Sequence, residues 1–529
     1  DWSTRTEGFA TPSFELASFG AHAGGWNSNH PRMLADVNGD GKADIVGFAG
    51  AGVYVSHSYG TGFNGATLEV SGTFGYNAGW RVDRHPRFLS DVNGDGKADI
   101  VGCANDGVYV SYATATGFAP AVREIISVFG YNAGWRVDRH PRFMVDVNGD
   151  KRADMVGCAN DGLYVSYATG SGFTAPVKKL NAFGYDGAAG GWRGDRHPRL
   201  MADVNGDGMA DMVGFANDGV VVAYSTGNGF TAPVLQLANY GYTAGGWRVG
   251  THPRMLADVN GDGMADIVGF ASNGVKVSFS TGTDFNNAQH MISYFGSQAG
   301  SWHHASHPRY VVDVNGDGRA DIVGCANIGV QVSYSQGDSF APSDHTISSF
   351  GYGSSAGGWN ISNNPRTLAD VDGDGNNDFI GFANAGVQVS FNNPNSDTRK
   401  IVKITNKRKE IHLTYDYLTN ASLYTKYNLE TYPKMEFQGA MQVISRVQTS
   451  IGVGGLTNVT YTYEGAHVDL EGRGFRGFKK ITAANYTTGL KDITEFERDH
   501  RCVNSKINKS DQRLISNNVM VSQVVNTIT

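Results

Sequence analysis

The chain has 529 residues, 43 Lys and Arg against 50 Asp and Glu, a formal net charge of −7, and 71 Gly beside only 14 Pro. No stretch of about 18 apolar residues occurs, so no hydrophobic membrane span is expected, and Gly at this level without a collagen period predicts tight turns between short strands. Residues 397–529 carry 19 Lys and Arg against 13 Asp and Glu, so the net negative charge lies wholly in the part before them, and no nucleic-acid partner is expected.

In chain order, Phe14-Glu15-Leu16-Ala17-Ser18-Phe19 aligns with the last strand of a later repeat, Arg123 to Phe129, but has no blade of its own before it. It is predicted to pair with the last blade, after Val387-Gln388-Val389-Ser390-Phe391, joining the two ends of a ring and removing an exposed edge. An acidic loop, Asp-x-Asn/Asp-x-Asp, then starts at Asp36, Asp91, Asp146, Asp203, Asp258, Asp313 and Asp370, at steps of 55 or 57 residues. The copy from Pro86 to His140 holds four short apolar or alternating segments between turns, which suits one four-stranded propeller blade. The expected fold is all-β: a seven-bladed β-propeller over residues 1–395, a smaller β-rich domain over 396–503, and an extended C-terminal segment over 504–529.

The loops read as calcium sites. The first offers Asp36, Asn38, Asp40, the carbonyl of Lys42 and Asp44, and the second Asp91, Asn93, Asp95, Lys97 and Asp99. The third offers Asp146, Asn148, Asp150, Arg152 and Asp154, and the fourth Asp203, Asn205, Asp207, Met209 and Asp211. The fifth offers Asp258, Asn260, Asp262, Met264 and Asp266, the sixth Asp313, Asn315, Asp317, Arg319 and Asp321, and the seventh Asp370, Asp372, Asp374, Asn376 and Asp378. Oxygens at positions 1, 3, 5, 7 and 9, with wrapping glycines at 4 and 6, supply most of the six to eight ligands that calcium takes, whereas magnesium demands a tighter octahedron. An EF-hand is excluded because its position 12 requires Glu and here is Gly47. Up to seven Ca2+ ions, one per blade, are expected, weakest where Lys151 replaces the second wrapping glycine and tightest in the seventh loop with its extra carboxylate.

A second repeated element precedes each loop. Trp26, Trp80, Trp135, Trp192, Trp247, Trp302 and Trp359 recur in register, followed by His-Pro-Arg in six copies and by Asn364-Pro365-Arg366 in the seventh. Aromatic faces with Arg and His donors are what a sugar site needs. The candidate ligand residues are Trp80, Arg81, His85 and Arg87; Trp135, Arg136, His140 and Arg142; Trp192, Arg193, His197 and Arg199; and Trp247, Arg248, His252 and Arg254. A purely packing role for the same residues is the alternative. Cys103, Cys158 and Cys325 stand where other repeats have Phe48, Phe215, Phe270 and Phe382, and so read as small core residues, while Cys502 stands alone.

The run Phe129-Gly130-Tyr131-Asn132-Ala133-Gly134-Trp135-Arg136-Val137-Asp138-Arg139-His140 with the following Asp loop resembles the repeats of the Psathyrella velutina lectin family, over residues 14–394. More broadly, the loops resemble FG-GAP (VCBS) repeats. The resemblance implies a calcium-containing seven-bladed propeller that binds N-acetylglucosamine and sialylated glycans between blades. Asn364, and Trp302-His303-His304 in the sixth repeat, depart from the pattern. Over about residues 400–500, Tyr461-Thr462-Tyr463-Glu464-Gly465-Ala466 and Gly472-Arg473-Gly474-Phe475-Arg476-Gly477-Phe478 resemble the segment after the propeller in Rhs-related proteins, including toxin-complex B components and SpvB-like proteins. That implies a β-rich scaffold that docks partners.

Together these readings predict a secreted or extracellular recognition module whose partners are glycans or glycoproteins and other subunits of a toxin-like assembly. The chain lacks a His-Glu-x-x-His, a Walker loop and zinc-type Cys spacing, and Gly353-Ser354-Ser355-Ala356-Gly357 lies in an inter-blade loop rather than at a strand-to-helix elbow. No catalysis is expected. A polysaccharide-cleaving propeller and a protein-docking subunit without sugar binding are the alternatives. A start at Asp1 rather than Met predicts a processed protein or an excerpt.

Overall fold

The computed structural model describes residues 8–392, 403–406, 409–427, 434–450, 456–469, 474–497 and 506–525. Each repeat folds into one antiparallel four-stranded sheet. In the second blade the strands are Arg87–Ser90, Asp99–Cys103, Gly107–Ser111 and Val122–Ile126. The second strand is apolar and β-branched and is buried throughout, as a strand covered on both faces requires, whereas the outermost strand has a mostly exposed pattern.

Seven hydrophobic clusters occupy the seven junctions between blades. One joins Val101 and Val110 of the second blade to Met155 of the third, and the closing one joins Ile45 of the first blade to Ile380, Phe382, Val387 and Val389 of the seventh. The ring is sealed as the sequence predicts: Ser13–Leu16 pairs antiparallel with Gly386–Ser390, opposing Ser13 to Val389 and Leu16 to Val387.

Each blade packs its Trp over a strand glycine. A Cβ built on Gly102 would fall 2.6 Å from the Trp80 ring, and one on Gly157 equally close to Trp135, so only Gly lets the indole lie flat on the sheet. The aromatic residue ahead of each Trp is fully buried and takes a left-handed backbone: Phe19, Phe74, Phe129, Phe183, Tyr240, Phe295 and Phe350 have φ between 59° and 64°. A bulky residue in that region costs of order 1 kcal/mol or more and persists only where burial over-determines it. Here the ring wedges against the Trp, 4.9 Å between centroids for Phe74 and Trp80. Cys103, Cys158 and Cys325 are buried, free thiols in the core, as expected. Cys502, the propeller boundary near 395 and the Gly472-Arg473 part of the second motif lie outside the described residues.

Beyond the ring, a ten-stranded sheet runs from Lys403–Asn406 to Met520–Val525. Its small core gathers Leu418, Leu423, Tyr424, Tyr463 and Ala466. The segment after 504, expected as an extended C-terminal segment, pairs with the sheet: Lys506–Leu514 adds to Leu490–Glu497, and Met520–Val525 adds to it in turn. Among the described residues, no helix is long and apolar enough to cross a membrane.

Candidate functional site

The acidic loop and the Trp element lie at opposite ends of the same innermost strand. In the second blade, Trp80 and His85 precede Arg87–Ser90, and Asp91 to Asp99 follows it. Four extended residues separate them by about 13 Å. The ring therefore has an acidic face and a tryptophan face.

On the acidic face each loop wraps around its first carboxylate. Asp91 Oδ1 accepts the N–H of Gly94 at 2.6 Å and Oδ2 that of Gly96 at 2.8 Å, while Asn93 Oδ1 and Asp95 Oδ1 each accept the N–H two residues on. The wrapping glycines have φ of 80° and 81°. The ninth residue, Asp99, is fully buried and accepts the N–H groups of Ala113 at 2.7 Å and Val92 at 3.1 Å. Burial, and then the neighbouring carboxylates, push its pKa up to about 8 against the pull of those N–H groups. The same causes put Asp321 at about 8 and Asp154, Asp211, Asp266 and Asp378 at about 7. Among the described residues, only Asp44 of these seven is met by a basic side chain, His57 at 3.1 Å. A buried carboxylate without a counter-charge is costly unless protonated or paired with a cation, and the all-oxygen donor set fits a hard divalent ion.

The loops are not independent. The N–H of Ala98 donates to the carbonyl of Asp36, that of Ala153 to Asp91, Ala210 to Asp146, Ala265 to Asp203, Ala320 to Asp258 and Ala43 to Asp370, and Asn377 Nδ2 completes the belt at the carbonyl of Asp313. Lys151 occupies the glycine position with φ of 66° and still donates its N–H to Asp146 Oδ2 at 2.7 Å. In the seventh loop, Asp370, Asp372 and Asp374 bring three carboxylates within 4.8 Å of one another. Basic residues at position seven lean back on the loop, Lys97 to Asp95 at 2.6 Å and Arg152 to Asp150 at 2.5 Å.

On the tryptophan face the predicted donors divide by burial. Trp80, Trp135, Trp192 and Trp247 are between 3 % and 6 % exposed. Arg87, Arg142, Arg199 and Arg254 are buried too, donating to the carbonyls of Phe74, Phe129, Phe183 and Tyr240. These arginines are posts of the blade junctions: Arg87 packs 5.3 Å over Phe48 and Arg254 5.4 Å over Phe215. His85 accepts the Arg81 N–H on Nδ1 at 3.0 Å, which leaves the proton on Nε2 for Asn105 Oδ1 at 2.9 Å. His140 and His197 repeat this with Asn160 and Asn217, and His252 with Ser272. Burial lowers the pKa of all four histidines. In the seventh blade Asn364 takes over the task and donates to Asn384 Oδ1 at 3.2 Å.

Arg81, Arg136 and Arg193 are half-buried and Arg248 is exposed. Each lies flat on a tyrosine that sequence reasoning passed over, 3.7 Å from Tyr76, 3.8 Å from Tyr131, 3.9 Å from Tyr185 and 3.7 Å from Tyr242. Arg84, Arg139 and Arg196 of the preceding blade approach Tyr131, Tyr185 and Tyr242 as well, at 5.0–5.2 Å. The signal was present as Phe-Gly-Tyr ahead of Trp80, Trp135, Trp192 and Trp359 and Tyr240-Gly241-Tyr242 ahead of Trp247. Two kinds of cleft result. One lies within a blade, about 260 Å³ in the third, where Trp135 and His140 meet Asn160, Asp161 and Tyr164; its counterpart in the second has about 240 Å³. The other, about 550 Å³, opens between the third and fourth blades among Arg139, Tyr185, Arg193, His197 and Arg199. The Gly353–Gly357 segment forms a 3-10 turn, Ser354–Ala356, as Gly187–Ala189 does at the same place in its own repeat.

Comparison with known proteins follows the same division. The FG-GAP-like repeat family matches residues 203–268 and 258–324, and the insecticide toxin TcdB middle/N-terminal region matches residues 340–504. No curated protein sequence matches the chain. Among solved structures, the Tc holotoxin pore of Photorhabdus luminescens aligns with 92 % of this chain and 25 % of its own, at 14 % identity and a TM-score of 0.54, which speaks for shared fold. An Agrocybe aegerita lectin, described as recognising non-reducing terminal N-acetylglucosamine, is 37 % identical over 68 % of this chain and 94 % of the lectin, with a TM-score of 0.63. With that identity over nearly the whole lectin, and with all seven blades in place, this chain belongs to the propeller family of the Agrocybe aegerita lectin.

Proposed function

We propose that the chain is a calcium-stabilised glycan-binding propeller that takes N-acetylglucosamine- or sialic-acid-terminated glycans in the clefts of its tryptophan face. Outside the cell it acts as a recognition and docking module of a toxin-complex-like assembly, with the ten-stranded sheet as its scaffold, and binds without catalysing. The observation that carries this reading is the row of Arg–Tyr stacks in four successive blades, beside clefts floored by Trp and His, in a chain 37 % identical to an N-acetylglucosamine-recognising lectin. A flat aromatic surface beside fixed donors suits a sugar's apolar face and hydroxyl rim, and repetition adds avidity to weak single sites.

The side-chain oxygens at positions 1, 3, 5 and 9 and the carbonyl at position 7 of each loop would hold calcium, with the seventh loop tightest and the third weakest. When bound, the ion neutralises the buried aspartates and stiffens the turn. The match of residues 340–504 to a toxin-complex region supports the docking role. A glycan array read with calcium and with chelator tests the reading, together with Arg136→Ala and Tyr131→Ala. Binding to N-acetylglucosamine- or sialic-acid-terminated glycans that weakens in each case is expected. A calcium-loaded chain that retains none of these sugars would end the lectin reading, and release of cut sugar from soluble polysaccharides would favour an enzyme instead.

A further inference from the structure

Among the described residues, the ten-stranded sheet touches the acidic face at three of its seven loops. Thr419 Oγ1 donates to the carbonyl of Gly373 in the seventh loop at 2.8 Å, Lys426 Nζ to the carbonyl of Gly39 in the first at 2.9 Å, and Lys42 Nζ to the carbonyl of Thr419 at 3.4 Å. A Cβ on Gly96 of the second loop would fall 2.6 Å from Met435 Sδ, one on Gly41 2.9 Å from the Gly439 Cα, and one on Gly375 2.8 Å from the Ala440 Cβ. The loops of blades seven, one and two are thus in van der Waals contact with the sheet. Burial agrees: the first wrapping glycine is buried in these three loops, Gly39, Gly94 and Gly373, and half-buried or exposed in the other four, Gly149, Gly206, Gly261 and Gly316.

The groups that the sheet reads are the loops' own outward carbonyls. Gly39 turns its N–H inward to Asp36 Oδ1 at 2.6 Å, and Gly373 turns its N–H to Asp370 Oδ1 at 2.6 Å, so the same peptide wrap that gathers the carboxylates presents the carbonyls to Lys426 and Thr419. Anything that relaxes the wrap moves both sets of oxygens together.

We infer that metal loading of the loops in blades seven, one and two is coupled to docking of the ten-stranded sheet, so that the propeller carries three capped ion sites and four open ones. This rests on the calcium reading above and adds to it an inequality among the sites. Coupling is reciprocal: docking holds ions in the capped loops, and ions hold the sheet in place.

The test uses the full-length, calcium-loaded chain, with bound calcium counted by elemental analysis and its release followed in a stopped-flow mixer against the fluorescent chelator Quin-2. A fast phase from the open loops and a slow phase carrying three ions are expected, the slow one roughly 5- to 150-fold slower, the range typical of coupled sites. The double substitution Thr419→Ala and Lys426→Ala should move the slow ions into the fast phase. Hydrogen exchange of the unaltered chain provides a readout that needs no variant: amides in 418–426 and 437–441 should lose protection on chelation before the blade strands do. Bound calcium that leaves in one phase, or protection in those segments that survives chelation, would overturn the coupling while leaving the calcium reading intact. A chain that binds no calcium would overturn both.

Discussion

Stripping the metal should reverse the ordinary effect of mild acid on this fold. In the ion-free chain, Asp99 and Asp321 have pKa values near 8, and Asp154, Asp211, Asp266 and Asp378 near 7, with burial the main cause. An aspartate raised in the folded state binds more protons folded than unfolded, so stability falls as pH rises from the unfolded pKa through the folded one. Between pH 7.5 and 6.5, one group at 7 returns about 0.7 kcal/mol and one at 8 about 1.2 kcal/mol. Six groups titrating independently return about 5 kcal/mol, or about 6 °C in Tm for a ring of roughly 390 residues. This window lies above most of the histidine titration. The buried histidines, with lowered pKa values, oppose the effect below pH 6.5, where they remain neutral only in the folded state. Scanning calorimetry of the chelated chain should therefore show Tm rising as pH drops from 7.5 to 6.5, and the calcium-loaded chain should show no such rise. A chelated chain whose Tm is flat or falls over that unit of pH would refute the assignment of unpaired buried carboxylates.

Three substitutions probe the blades themselves. Gly157→Ala places a methyl 2.6 Å from the Trp135 ring and should cost about 1–3 kcal/mol by overpacking, read from the midpoint of urea unfolding. Lys151→Gly relieves a left-handed lysine at φ 66° and should stabilise the chain by about 1 kcal/mol while raising the third loop's affinity for calcium, measured by calorimetric titration. His140→Asn should be tolerated better than His140→Leu by about 1 kcal/mol, because Asn364 already performs this role in the seventh blade, whereas Leu leaves Asn160 Oδ1 without its donor.

The ring was legible because its signal is periodic. One acidic loop per 55 or 57 residues fixes the blade count, and the alignment of Phe14 to Phe19 with a blade's last strand fixes the closure. Burial was not legible in the same way. A Trp at constant register serves packing and recognition equally well in sequence, and only the glycine beneath it, Gly102 under Trp80, reveals that the indole lies inward. Arg81 and Arg87 look alike as donors, yet Arg87 starts a strand and points into the junction with Phe48, while Arg81 sits on a surface turn over Tyr76. Thr419 and Lys426 carried no signal because they lie in the part without repeats, and their partners are backbone carbonyls that any residue offers. The pairing of Lys506–Leu514 was hidden for a related reason, since backbone bonds to Leu490–Glu497 need no apolar composition.

The opposition of the two faces gives chelation a distinctive signature at the proposed sugar sites. Each acidic loop is joined by one four-residue strand to the Trp of its own blade and to its His, or Asn364 in the seventh, and by the hydrogen-bonded belt to the loop of the next. None of the three clefts described above is lined by a loop aspartate of positions one to nine. An ion in these loops therefore affects a bound sugar only through the position and rigidity of the strand. Chelation should then weaken every glycan by a similar factor and leave the order of preference among them unchanged. Asp154→Ala, which cripples the third loop alone, should lower affinity at the clefts of neighbouring blades as well as its own. Isothermal titration with a short N-acetylglucosamine oligomer and a sialylated trisaccharide, each with and without chelator, reads the ratio directly. A preference that inverts on chelation would mean that calcium touches the sugar itself, and the separation of faces drawn from the strand between Arg142 and Val145 would be wrong.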